Sequence, residues 1–232
     1  MMRKKPMLAY PVSTKPIDYS KPVFMQPKLD GVRCVIQREV FPISQGGARV
    51  VAYSRTGKEW KNIDHILEQL TPFFQKYPDV ILDGELYNHD FKDDFEKIIS
   101  MVRKTKPTEE ARVESAENVQ FHCYDIIDEE LPFEQRIEFV HEALMLLGDS
   151  IYTVHTMQVS SHENALTFHE SYKAGGYEGS ILRTNDTYQC KRSHSLRKFK
   201  DFHDAEAYIV GYEVGKGKRE GTLGKFLMQD ED

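Results

Sequence analysis

An α+β fold with mixed, mostly antiparallel sheets is what the sequence predicts. Two observations carry that expectation. Strand-like and helix-like stretches follow one another irregularly, without the alternation of a regular βαβ series. β-rich pieces also lie directly on either side of Asp30-Gly31, a pair that signals a turn. With 232 residues the chain has room for one large domain, or one with a small companion. It has no internal repeat and no low-complexity tract.

Five of the ten prolines fall in the first 27 residues, so that segment reads as extended and irregular. Residues 23–40 read as two strands around Asp30-Gly31, and 49–54 as a third. Ile63, Ile66, Leu67, Leu70, Phe73, Phe74 and Tyr77 are spaced for a helix over 62–77, which Pro72 should end or kink. Residues 79–87 read as a buried strand, and 91–103 return to helical spacing. The polar run 104–118 reads as an exposed loop. Then come a strand at 119–127, a helix at 133–147 behind Pro132, a strand at 151–159, and a helix at 162–174 stopped by Gly175-Gly176. Strands near 178–184, 195–200 and 206–214 complete the order.

Hydrophobic residues at 40% and charged residues at 29% describe an ordinary globular chain, not a disordered one. Lys+Arg total 31 against 37 Asp+Glu, a formal charge of −6. That excludes a protein held on nucleic acid by bulk charge, but leaves room for a local basic groove. Cys34, Cys123 and Cys190 are odd in number and far apart, which argues against a disulfide framework or structural zinc and for a reducing compartment. No apolar h-region follows the basic N-terminus, and no stretch reaches the apolar length of a membrane span. The expectation is a soluble intracellular protein without a membrane partner.

The chemistry concentrates in a few segments. In Lys28-Leu29-Asp30-Gly31-Val32-Arg33 a lysine precedes a tight turn, with a carboxylate two residues on and a guanidinium five residues on. The bland alternative is a hairpin turn with surface charges. Asp83-Gly84-Glu85 places two carboxylates in an apolar strand, where burial without a partner is costly, so a cation, metal or hydroxyl-rich ligand is implied nearby. The alternative is a strand end emerging into solvent. Glu178 opens another apolar strand. In Leu196-Arg197-Lys198-Phe199-Lys200, strand alternation puts Lys198 and Lys200 on one face and Arg197 and Phe199 on the other. Two lysines side by side repel unless an anion such as phosphate lies between them. Their alternative is a lysine-protected edge strand. His122, His155 and His169 lack ligand-like spacing and read as structural or surface histidines.

Taken in order, these segments resemble the nucleotidyltransferase motifs of ATP-dependent DNA ligases, especially the small bacteriophage and viral enzymes. Lys28–Arg33 is similar to the first motif, Ser54-Arg55-Thr56-Gly57 to the second and Asp83-Gly84-Glu85 to the third. His122-Cys123-Tyr124-Asp125-Ile126-Ile127 is similar to the next, Glu178-Gly179 to the fourth and Leu196–Lys200 to the fifth. Each is weak alone; their order over residues 26–200 is specific. Asp204–Gly211 resembles the start of the OB domain of these ligases. The resemblance therefore implies an adenylation domain over 1–203, mostly antiparallel sheets flanked by helices, and an incomplete OB fold over 204–232 that lacks the family's final basic motif. Full activity from ATP is accordingly expected to be weak, with sealing of a pre-adenylylated nick surviving.

The resemblance implies that Lys28 is adenylylated by ATP, that AMP passes to the 5′-phosphate of nicked double-stranded DNA, and that a 3′-hydroxyl displaces AMP. It gives Arg55 phosphate contacts, Glu85 ribose or metal, Glu178 metal, and Tyr124 a ring stacked on adenine. Arg33, Lys198 and Lys200 supply cations around the phosphates, Mg²⁺ (or Mn²⁺) completes the site, and Gln26 is a weaker candidate for the adenine edge. Lysine with a pKa of about 10.4 is mostly ammonium at neutral pH, and neighbouring cations favour the reactive amine. Lys191, Arg192 and Arg197 are candidates for DNA phosphates. A monomer serving replication, repair or recombination is implied, in the cytoplasm of a bacterial or phage-infected cell, with the nucleus left open. RNA ligases and mRNA capping guanylyltransferases share a lysine motif of this kind and stay as alternatives. So does a non-catalytic fragment that binds nucleotide or nicked DNA.

Overall fold

The computed structural model of the chain describes residues 4–145, 147–199, 207–217 and 220–230. It divides into two compact units, Met1–Lys200 and Asp201–Asp232. In the first, ten strands form two five-stranded sheets. They are β1 (Leu8–Pro11), β2 (Val23–Lys28), β3 (Val32–Val40), β4 (Ala48–Tyr53), β5 (Ile81–Tyr87), β6 (Gln120–Ile126), β7 (Ile151–Thr153), β8 (Met157–Val159), β9 (Gly179–Thr184) and β10 (Arg192–Phe199). Sheet A runs β1-β10-β9-β2-β8 and sheet B runs β4-β3-β5-β6-β7. Each holds one parallel pair, β1 with β10 and β6 with β7, and is otherwise antiparallel. The mixed α+β expectation therefore holds.

The helices are α1 (Asp64–Lys76), α2 (Phe95–Val102), α3 (Glu109–Asn118), α4 (Phe133–Leu144) and α5 (His162–Ala174). One face of sheet B carries Cys34, Ile36, Leu82, Leu86, Phe121 and Cys123 into the main core, where α1, α2 and α4 contribute Ile66, Leu70, Phe73, Ile98, Val102, Ile137 and Val140. Val35 and Ile81 of sheet B, with Ile127 just after β6, meet Met7, Tyr188 and Leu196 in a second, smaller core. Strand alternation then sends Arg33, Asp83 and Glu85 to the same side as Val35 and Ile81, away from the helices. The second unit is described by its antiparallel hairpin, β11 (Ala207–Val214) and β12 (Leu223–Asp230).

Three local expectations are corrected, and one, that Pro72 ends or kinks its helix, loses its first branch. Asp30-Gly31 is not a hairpin turn, because β2 belongs to sheet A and β3 to sheet B; the pair carries the chain across. A Cβ on Gly31 would collide with the Leu86 carbonyl oxygen, so the crossing requires glycine. Pro72 does not end its helix, which continues to Lys76; Phe73 and Phe74 beyond it are almost fully buried, and burial of about 1.5–3 kcal/mol each offsets a proline cost of about 3 kcal/mol. The polar run 104–118 is not all loop. Thr108 caps α3 by accepting from the Ala111 amide, Glu109 and Glu110 occupy its first turn, and Asn62 donates to the Ala111 carbonyl at 3.0 Å. Finally, 151–159 is two strands, β7 on sheet B and β8 on sheet A.

Candidate active site

β2 ends on Lys28, and its pairing with β9 sets Lys28 opposite Gly179. The Glu178 amide donates to the Lys28 carbonyl at 3.2 Å, and the two side chains form an ion pair. On the same sheet, Ile181 of β9 is the partner of Lys198 on β10 and of Gln26 on β2. A cavity of about 310 Å³ opens beside these residues, lined from sheet A by Lys28, Ile181, Leu196, Lys198 and Arg192. Sheet B supplies Arg33, Glu85 and Tyr124, and Arg55 arrives from the turn after β4. Glu178 lies at the rim through its bond to Lys28.

Buried ion pairs set the floor. Asp83 is fully buried and takes two bonds from Arg33, Nε at 2.6 Å and Nη2 at 2.5 Å, and one from the Tyr188 hydroxyl at 2.6 Å. A Cβ on Gly84 would lie 2.5 Å from the His122 carbonyl oxygen, which explains the glycine between the two carboxylates. Asp125, also fully buried, accepts from Arg136 Nε at 2.7 Å and from Arg183 Nη1 at 2.6 Å. A register shift between β5 and β6 leaves Tyr124 opposite no residue, and Tyr124, following the core-facing Cys123, lines the cavity. The guanidiniums of Arg33 and Arg183 lie 5.2 and 5.3 Å from that ring, and its hydroxyl donates to Glu85 at 3.2 Å.

Burial pushes the Glu85 carboxyl up to about 7, against the opposing pull of Arg33 and Lys28. Burial also raises the Tyr124 phenol well above its usual range, so it remains a donor. His122 is pushed down to about 4 by burial and stands neutral, packed on Tyr152 and Tyr87.

The structure brings Lys28, Arg33, Arg55, Glu85, Tyr124 and Lys198 around one cavity, with Glu178 at its edge. Gln26 lies behind it: its amide donates to the Tyr124 carbonyl at 3.2 Å and to Thr156 at 2.9 Å, and accepts from Arg183 at 2.8 Å. With those atoms engaged, Gln26 supports the cavity wall instead of facing a ligand. Arg197 is 5% exposed and donates to the carbonyls of Lys15, Pro16 and His194, so it presents no DNA-facing charge. Lys200 and Asp204 lie outside the described residues. Arg136, Arg183 and Tyr188 were not legible as site residues, and Asp125 stood out only as part of its motif, since the bonds that join them connect separate elements.

A second cavity, about 660 Å³, adjoins the first and shares Arg33, Arg55 and Glu85 with it. Lys58, Trp60, Phe95 and Arg103 also line it.

Residues 6–200 match the family described as the ATP dependent DNA ligase domain. A DNA ligase of African swine fever virus (isolate Pig/Kenya/KEN-50/1950) is 29% identical over 219 residues, covering 89% of this chain and 48% of the viral protein. A DNA ligase of Halobacterium salinarum is 26% identical over 227 residues, 90% of this chain and 38% of the relative. The chain spans about half the length of the viral relatives it matches. Among solved structures, a Lig E DNA ligase superposes with a TM-score of 0.74 at 22% identity, covering 99% of this chain and 81% of that one. The ATP complex of the bacteriophage T7 ATP-dependent DNA ligase gives 0.67 at 18%, covering 98% and 78%; both show the shared fold. With the match extending over residues 6–200 and through every strand of the two sheets, the chain belongs to the ATP-dependent DNA ligase domain family.

Proposed function

We propose that this chain carries the nucleotidyltransferase chemistry of an ATP-dependent DNA ligase. Lys28 Nζ attacks the α-phosphorus of ATP, forming a phosphoramidate bond to AMP as pyrophosphate leaves. A 5′-phosphate oxygen at a nick then displaces Lys28 from that phosphorus, and a 3′-hydroxyl attacks the activated 5′-phosphate to release AMP. The observation that carries the reading is Lys28 at the edge of a cavity that also presents an aromatic ring and four further cations, Arg33, Arg55, Arg192 and Lys198. The ring of Tyr124 suits a flat base, and the cations suit phosphate oxygens.

Lys28 is engaged in an ion pair with Glu178, and attack by its amine requires that pairing to loosen. Glu178 and Glu85 are oxygen donors from opposite sheets near the nucleophile, and no group of three or more metal-ligating side chains assembles among the described residues. That donor set fits a hard divalent cation such as Mg²⁺, which takes one or two carboxylates and completes its shell with phosphate oxygens and water. Bound there, it would supply positive charge to the α-phosphate and compete with Lys28 for Glu178. Tyr124 orients the base, its hydroxyl steadies Glu85, and Gln26 and Arg183 brace Tyr124 from behind. Arg33, Arg55 and Glu85, facing both cavities, form the wall across which AMP passes to the second substrate. We read the β11–β12 hairpin as the opening of an OB fold.

A nicked duplex with a 5′-phosphate, incubated with ATP and Mg²⁺, tests the assignment of substrate. Joining that needs the 5′-phosphate and ATP is expected. Joining of nicked RNA in preference, or use of GTP, would assign the chain to the RNA-ligase or capping branch.

A further inference from the structure

We infer that Lys58 and Arg103 grip backbone phosphates of the nicked strand, in the 660 Å³ cavity beside the nucleotide site. This rests on the ligase reading above and names two residues outside its motifs. Four cations line this cavity against a single carboxyl, Glu85: Arg33 is tied to Asp83, while Arg55, Lys58 and Arg103 make no ion pair with a carboxylate among the described residues. Nearby lysines are treated differently: Lys61 pairs with Glu59, and Lys97 and Lys104 share Glu114. Three unpaired cations against one carboxyl, whose burial pushes it up to about 7, leave an excess of positive charge that a polyanion relieves.

Both residues sit on fixed backbone. The turn after β4 is closed by Gly57 N to Ser54 O at 2.9 Å, Lys58 N to the Ser54 hydroxyl at 2.9 Å and Ser54 N to Lys58 O at 2.7 Å. Gly57 has φ 88, a left-handed conformation that suits glycine, and it sets the direction in which Arg55 and Lys58 emerge. Arg103 caps the C-terminus of α2, its amide donating to the Ile99 carbonyl at 3.1 Å. The same cavity is lined by Trp60, buried and donating to the Arg33 carbonyl at 3.3 Å, and by the partly buried Phe95. Apolar rings and unpaired cations in one lining match the sugar and phosphate of a strand. The pyrophosphate of ATP, the other phosphate source at this site, has no apolar surface to place there.

Removing one cation that neutralises a duplex phosphate lowers the slope of log affinity against log salt by about 0.9. Binding of the chain to a 5′-phosphorylated nicked duplex is therefore measured between about 50 and 200 mM salt, for the parent, Lys58→Ala, Arg103→Ala and the double variant. The slope is expected to fall by about 0.9 in each single variant and about 1.8 in the double, with Lys58→Arg and Arg103→Lys restoring it. Unchanged slopes, or no binding of nicked DNA by the parent, overturn the inference. Slower Lys28 adenylylation from ATP with unchanged DNA slopes also overturns it, assigning the two cations to pyrophosphate. A parent that forms no lysine–AMP adduct while its DNA slopes respond as stated rejects the ligase reading and leaves the strand-binding site standing.

Discussion

Tyr124 and Glu85 are where single side chains matter most. Base–aromatic stacking removed by an alanine substitution costs about 1–3 kcal/mol. Tyr124→Ala is expected to weaken ATP binding by roughly 5- to 150-fold, while Tyr124→Phe keeps most of the affinity; equal losses in both would move the role from the ring to the hydroxyl. Glu85 carries a sign that can be read from stability. Its carboxyl is raised to about 7 in the folded chain, so the folded state holds a proton that the unfolded state has released. Stability from that proton is complete at acid pH below the ordinary carboxylate range and is lost as pH rises through about 7. Glu85→Gln, neutral throughout, is therefore expected to gain in Tm relative to the parent as pH goes from about 5 to about 8. Parallel Tm profiles would show that Glu85 is not held protonated. The residue types of the site were legible: Lys28, Arg33, Glu85 and Tyr124 stand out in the sequence and share one cavity. Gln26 was not, because sequence gives its strand but not what covers its side chain.

At the scale of elements, the site depends on ties between the two sheets. Asp125 on β6 is bonded both by Arg183 from β9 on the facing sheet and by Arg136 from α4. Asp125→Ala leaves two buried guanidiniums without their carboxylate and is expected to destabilise the first unit by about 3–5 kcal/mol in denaturant unfolding. A loss under about 1 kcal/mol would show that water or another acceptor takes over. Elements with strong periodicity, such as α4 and β5, were legible. Helix α3 was not, because it buries only Ala111 and Ser115 and is held by polar bonds to Asn62. Its signal was there in Thr108 followed by Glu109 and Glu110, a cap and an acidic first turn without an apolar stripe.

For the molecule as a whole, partner choice between strands was the illegible part. Asp30-Gly31 has the local chemistry of a hairpin, yet β2 and β3 go to different sheets because each finds its partners far along the chain: β9 for β2, and β5 for β3. The same separation makes the cleft. Lys28 stands on one sheet, Glu85 and Tyr124 on the other, and the crossing at Gly31 ties them together. The central claim is that this cleft forms a covalent lysine–AMP bond at Lys28. The most direct measurement is peptide mass spectrometry of the chain after incubation with ATP or GTP and Mg²⁺, beside Lys28→Ala. An AMP adduct on Lys28, from ATP and not GTP, and absent in the variant, is the predicted result. An adduct on another lysine, or one retained in Lys28→Ala, would contradict it.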